Sequence, residues 1–188
     1  ENDTVTLELN TIEPLKFKGT QHNLGLAVNY SDVYRSAPDY TENFTEEDLQ
    51  KLISFDGKIM PYGDRPASNY NQPITARVMW NIGFDSLPLK ISNFFSYKDT
   101  YEQVLEASSA DKVVHDGVKI DTYTLQDVKP RFTWDVRTTY DWKVSKDYSA
   151  IFGLTVNNIT NRNNLYVSGS KLYSEIGRQF IADITFKF

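Results

Sequence analysis

The 188-residue chain has no cysteine, only two methionines and two histidines, and no excess of positive charge. Each shortage excludes something. Without cysteine there are no disulfides and no thiolate metal sites. A formal net charge of -5 argues against nucleic acid as a partner, which favours a basic stripe. No stretch approaches the ~20 consecutive apolar residues of a membrane-spanning helix, and the mean hydropathy is -0.48. The opening, ENDTVTLELN, lacks the basic and apolar regions of a secretory signal. The chain is therefore expected to be cytosolic, processed, or a piece of something longer. There is no nucleophile elbow, phosphate-binding loop or HExxH, and two histidines leave little for a hydrolytic site. Asp111, Asp116 and Asp121 lack the dense oxygen spacing of a calcium loop. No enzymatic activity, cofactor or metal is expected.

What is present is alternation. The chain closes on GRQFIADITFKF, with Phe180, Ala182, Ile184, Phe186 and Phe188 at every second position. Between them stand Ile181, Asp183, Thr185 and Lys187, so one face is apolar and the other mostly polar. The same period recurs in six earlier segments, around Val5–Leu9, Leu24–Tyr30, Ile74–Phe84, Leu89–Tyr97, Phe132–Val144 and Ala150–Val156. Asn93 interrupts the apolar row of the fourth. Seven segments of period two predict an all-β, antiparallel protein. One exception, Thr45 followed by EEDLQKLI, predicts a short helix: a capping threonine, then three acids in the first turn.

The connections alternate in length: 13–20, 36–72, 86–88, 107–127, 145–148 and 160–176 run short, long, short, long, short, long. In an up-and-down sheet this sorts every long loop to one end. Transmembrane β-barrels do this, with short periplasmic turns and long extracellular loops. The aromatics, 12 Tyr and 11 Phe among them, fall at two levels. Phe84, Tyr140, Trp142, Tyr148, Phe186 and Phe188 mark the short-turn end; Tyr30, Tyr34, Tyr97, Tyr101, Phe132 and Phe180 mark the other. Two aromatic belts around an aliphatic band suit two membrane–water interfaces. The expected environment of the apolar face is lipid. A soluble sandwich or barrel, with this face as its core, is the alternative.

The region 130–188 resembles the C-terminal end of TonB-dependent outer-membrane receptors. It has a strand, PRFTWDVRTTYDWKV, then a strand closing on VNNITNRNN, then Tyr173, Gly177-Arg178-Gln179-Phe180 and a terminal Phe188. Before residue 130 the likeness is only general. The resemblance implies about seven C-terminal strands of a larger, 22-stranded barrel, in one segment spanning 1–188, without the plug domain or the TonB-contacting box. It implies energy-coupled uptake of a scarce bulky ligand (ferric siderophore, haem, cobalamin or oligosaccharide) across the bacterial outer membrane. The implied partners are the remaining strands and plug of the same receptor, the TonB complex, the barrel-assembly machinery, lipid and an extracellular small ligand. Gly177, Phe180, Phe186 and Phe188 would form the signal read by the assembly machinery. A passive porin, or a soluble β-barrel or sandwich binding module, remains the alternative.

Two groups of site residues follow. Arg131, Asp135, Arg137, Asp141 and Lys143 share the polar face of one strand, with Arg77 and Lys90 on neighbouring strands. They are expected to line the lumen, pairing with each other or with the plug, or guiding ligand. The 36–72 loop carries seven acids against three bases, a net -4. Its Tyr40, Phe44, Tyr62, Arg65 and Tyr70, with His115 of the 107–127 loop, are the expected ligand-binding positions. His115 precedes Asp116-Gly117, a hairpin-turn pair, where a lone loop histidine is more often simply solvated; for the 36–72 loop, a surface loop packing on its neighbours fits as well as a ligand cover. His22 lies at the short-turn end.

Overall fold

The computed structural model describes residues 2–33, 44–66, 73–168 and 171–188. Seven long strands form one antiparallel meander: β1 (Asn2–Asn10), β2 (Thr20–Val33), β3 (Ile74–Phe84), β4 (Leu89–Lys98), β5 (Arg131–Lys143), β6 (Ser149–Asn157) and β7 (Gln179–Lys187). They correspond to the seven alternating segments. A three-residue strand, Leu15–Phe17, folds onto the start of β2. The sheet stays open. Among the described strands nothing pairs with the outer edge of β1 or of β7.

Register joins the separate alternations into one surface. Leu7 lies opposite Val28, Val28 opposite Ala76, Ala76 opposite Tyr97, and Tyr97 opposite Phe132. Val136 lies opposite Val156, and Val156 opposite Phe180. Because side chains alternate with period two, a slip of one residue anywhere would turn a strand's apolar set to the other face. The resulting apolar face is bare: Val5 is 67% exposed, Phe180 69% and Ile184 56%.

Asn93 sits on that face opposite Trp80, yet it is buried. Its Oδ1 accepts from Trp134 Nε1 at 3.2 Å, and its Nδ2 donates to the Trp80 carbonyl at 3.3 Å. Both polar ends are satisfied. A buried amide without partners is costly, so the interruption in the sequence is repaired in space. His22 is handled similarly: Trp80 Nε1 donates to its Nδ1 at 3.1 Å, and the two rings stack.

The three long connections lie at one end of the meander, as their alternation with the short ones predicts. Their described residues carry more secondary structure than the one helix expected from the sequence. The first holds α1 (Glu46–Gln50), the strands Leu52–Phe55 and Lys58–Pro61, and a 3-10 turn, Tyr62–Asp64. The second holds Tyr101–Glu106, a small hairpin of Val114–His115 with Val118–Lys119, and Thr122–Val128. The third holds a hairpin of Leu165–Ser168 with Lys171–Ser174. The expected helix therefore forms but stops at Gln50; the residues that follow are strand.

The first two connections share a four-stranded sheet, in the order 58–61, 52–55, 122–128, 101–106. Its central contact is parallel, Ser54 with Thr122 and Phe55 with Tyr123. Ser54 N–H donates to the Asp121 carbonyl at 2.9 Å, and Asp56 N–H to the Tyr123 carbonyl at 3.0 Å. The cluster of buried apolar residues lies here, not on the wall: Ile53, Phe55 and Val104, with Met60, Tyr62 and Tyr123 packed against them. The turns follow local chemistry. Asp56-Gly57 and Asp116-Gly117 both adopt left-handed φ, +47° with +80° and +48° with +79°, as a two-residue hairpin of this hand requires.

Candidate functional site

The polar face of β5 does not pair within itself. Arg137 reaches across β6 to Asp183 on β7, with Nη1 and Nη2 each 2.9 Å from a carboxylate oxygen, and Nη1 also donates to Thr155 at 2.9 Å. Such a two-pronged pair is geometrically specific. It needs space on the strand between. Gly153 supplies it: a Cβ there would lie 2.5 Å from one Asp183 oxygen and 2.7 Å from Arg137 Nη2. Arg131 pairs instead with Glu175 of the third connection, at 2.6 Å. Asp135 Oδ1 accepts from the Asn158 N–H at 2.7 Å. Asp141 shares a cavity of about 520 Å3 with Lys90 and Lys143 at the short-turn end. Arg77 stands opposite Ala27 and Ser96 and lines a separate cavity of about 340 Å3 with Met79 and Phe94. Of the roles expected for the β5 charges, pairing with one another is not what Arg131 and Arg137 do. Asp183 and Glu175 are the partners, and same-strand spacing carried no signal for either.

The Asn-rich turn after β6 is a local device. Asn158 and Asn161 adopt φ of +50° and +51°, a conformation that asparagine tolerates better than most residues. The Asn158 side chain bonds both the N–H and the carbonyl of Arg162, at 3.0 and 2.8 Å. Asn161 Oδ1 accepts from the Arg178 N–H at 3.0 Å, tying the turn to the approach of β7 beside Gly177. Phe180 and Phe186 then stand exposed on the apolar face. Phe188 is 94% exposed and meets Tyr148 edge-on.

Three expected loop residues come together. Phe44 stacks on Tyr62 with ring centroids 5.1 Å apart, Tyr62 meets Tyr123 edge-on, and the Arg65 guanidinium lies 4.7 Å from the Tyr62 ring and 5.0 Å from that of Tyr123. These residues hold the loop sheet together rather than standing free. Burial, with help from the Glu106 charge, pushes the Tyr123 hydroxyl up to about 12, so it stays neutral. Tyr123 was not anticipated; its place depends on the pairing between the two connections. His115 sits apart in its hairpin, with Nε2 3.6 Å from Asp116 Oδ2. Tyr40 and Tyr70 lie outside the described residues. At α1, Thr45 Oγ1 accepts from the Asp48 N–H and the Asp48 carboxylate accepts from the Thr45 N–H. The Lys51 ammonium, with the Thr45 hydroxyl and N–H that both donate to the carboxylate, draws the Asp48 carboxyl down to about 2.

Among the described residues, no group of histidine, cysteine, aspartate and glutamate side chains is arranged to hold a metal ion. No protein-family model matches the chain, and no curated protein sequence does. The chain spans about a quarter of one solved structure that it resembles. Over 99% of its own length and 25% of the other's, with 13% identity and a TM-score of 0.67, it shares the fold of part of the outer membrane transporter YddB from Escherichia coli.

Proposed function

We propose that this chain forms part of the wall and extracellular loops of a bacterial outer-membrane transporter of the TonB-dependent kind. It would serve uptake of a scarce bulky ligand and perform no bond chemistry. One observation carries the proposal: a seven-stranded meander with a continuous apolar face bare over much of its extent, a mostly polar opposite face and two edges unpaired among the described strands. Exposed apolar patches beyond a few hundred Å2 mark interaction or membrane surfaces, and open edges are not tolerated in lipid. Both needs are met if further strands close the barrel and the apolar face meets hydrocarbon. The likeness to part of an outer membrane transporter supports this fold reading.

In this scheme the joined loop sheet stands over the extracellular mouth and captures ligand. The inner wall, with Arg137–Asp183 as a fixed tie and Arg77 facing inward, contacts a plug domain. The TonB complex then works on that plug to let ligand through. Phe180, Phe186 and Phe188 present the end of β7 to the assembly machinery.

The test is made on cells expressing the full-length protein that contains this chain. Outer membranes are separated, the protein is extracted in detergent and its ion conductance is measured in a planar bilayer. Uptake of labelled ligand is compared with and without a functional TonB complex. A membrane-embedded protein that does not conduct, with uptake lost in the TonB-deficient strain, supports the proposal. Steady conductance would make it a porin. Recovery in the soluble fraction would make the apolar face an ordinary core.

A further inference from the structure

On the polar face, below the third long connection, lies a cavity of about 480 Å3. It is built from β5, the end of β6, the start of β7 and the 158–178 connection. Its volume falls within the usual range for small-molecule sites, roughly 300–1,000 Å3. Its lining is unlike the apolar wall cavity beside Met79. It offers Thr133, Asn157 and Gln179 from three adjacent strands, together with the Arg131–Glu175 pair, Asp135 and Tyr166.

We infer that this cavity is a binding subsite for a neutral polyhydroxylated ligand, a saccharide, at the mouth of the transporter. The assignment rests on the transport reading and names its substrate class. Three observations carry it. First, charge. Arg131 is already paired with Glu175, and one Asp135 oxygen is taken by the Asn158 N–H. The lining carries one cation and two carboxylates, and no unpaired lysine or arginine. An anionic ligand, whether carboxylate, catecholate or phosphate, finds no counter-charge. Second, hydrogen-bonding capacity. The side chains of Thr133, Asn157 and Gln179 bond to no other described side chain or backbone group. Each amide presents a donor and an acceptor side by side, and the hydroxyl supplies both roles. Neighbouring sugar hydroxyls are also both donors and acceptors, so a row of such side chains matches them without charge. Third, a platform. Tyr166 stacks on Tyr173 with centroids 5.7 Å apart, which fixes the ring, yet stays 41% exposed. A rigid aromatic surface beside polar groups suits the C–H face of a sugar ring.

The test is equilibrium binding to the intact detergent-purified receptor containing this chain. The probes are neutral oligosaccharides (α- and β-glucan, mannan, xylan and galactan fragments), with ferric citrate and a cationic peptide as charged comparisons. At least one neutral oligosaccharide is expected to bind. Tyr166→Ala and Gln179→Ala should each weaken it about tenfold, the scale of one lost stacking or hydrogen-bonding contact. Tyr166→Phe should bind within about twofold of the parent, because the platform remains. If Tyr166→Ala fails to assemble, as judged by heat-modifiable gel mobility, Gln179→Ala decides. No saccharide binding, a preference for either charged probe, or saccharide binding untouched by the variants would overturn the assignment. Loss of the saccharide site with TonB-dependent membrane uptake intact would sink this inference alone and leave the transport reading standing.

Discussion

The wall and the loop unit of this molecule are both antiparallel β-structure in the main, yet they are stabilised differently. The loop unit behaves as a miniature globular domain. It buries Ile53, Phe55 and Val104 between its own strands and closes them with Tyr62, Tyr123 and Arg65. The wall buries little apolar surface against itself. Side chains such as Val5, Leu154 and Phe180 stand bare on one face, while its ladder and the Arg137–Asp183 tie hold the strands to one another. The loop unit is thus closed by its own core, and the wall's apolar face is not.

The contrast is best broken from the loop side first. Ile53→Ala should cost about 2–5 kcal/mol, the usual range for a truncated core residue. The cost should be confined to the loops: hydrogen exchange should quicken across 52–61 and 101–128 and stay unchanged in β3 to β6. Exchange rising equally in the wall would show that the two regions are one cooperative unit. The neighbouring Ser54 is fully buried, and its hydroxyl has no partner among the described residues. Ser54→Ala should therefore go the other way and stabilise the loop sheet by about 1 kcal/mol.

The wall is challenged by charge. Leu154→Arg, on the apolar face of β6, should cost about 2–4 kcal/mol, as a basic residue does at the bilayer midplane. The measurement is the fraction folded into lipid vesicles. Arg at the exposed Val118 of the loop hairpin should leave that fraction unchanged. A harmless Leu154→Arg would mean that the face does not meet hydrocarbon.

On the opposite face, Gly153→Ala puts a methyl group into the space of the Arg137–Asp183 pair. Loss of that pair should lower the thermal midpoint in detergent. Pairing it with Asp183→Ala gives a double-mutant cycle, and the two costs should not add.

A smaller effect is expected at high pH, and in the loops alone. The Tyr123 hydroxyl titrates above its ordinary value, up to about 12. The unfolded chain therefore gives up this proton first. Stability from this group is intact below about pH 10 and declines as pH rises from there to about 12. Ultraviolet absorbance of tyrosinate, followed with loop hydrogen exchange, should show the two changing together, and Tyr123→Phe should remove the dependence. The smallest effect is expected at α1. Thr45→Ala should cost about 1 kcal/mol of local stability, seen as faster exchange at residues 46–50 only.

The seven strands, their order, the sorting of loop lengths, the capped helix and the Asp116-Gly117 turn were legible because each rests on neighbours in sequence. Period-two alternation is a property of a single strand, and a turn or cap needs only a few adjacent residues. Phe44, Tyr62 and Arg65 were legible as residues that matter; that they also close a small core was not. The partners of Arg131 and Arg137 could not be read off, because Glu175 and Asp183 lie 44 and 46 positions away and are brought near by pairing, not by spacing.

By itself, then, the sequence determined which residues face which way along each strand, since the backbone pleat enforces it locally. Only the tertiary structure decided what those faces meet. The parallel contact of 52–55 with 122–123 turned two loops into one body, Gly153 opened the space for an ion pair across three strands, and the Trp134 indole and the Trp80 carbonyl satisfied a lone amide on an apolar wall. Each depends on chain segments whose closeness is set by the whole sheet, and no local pattern encodes it.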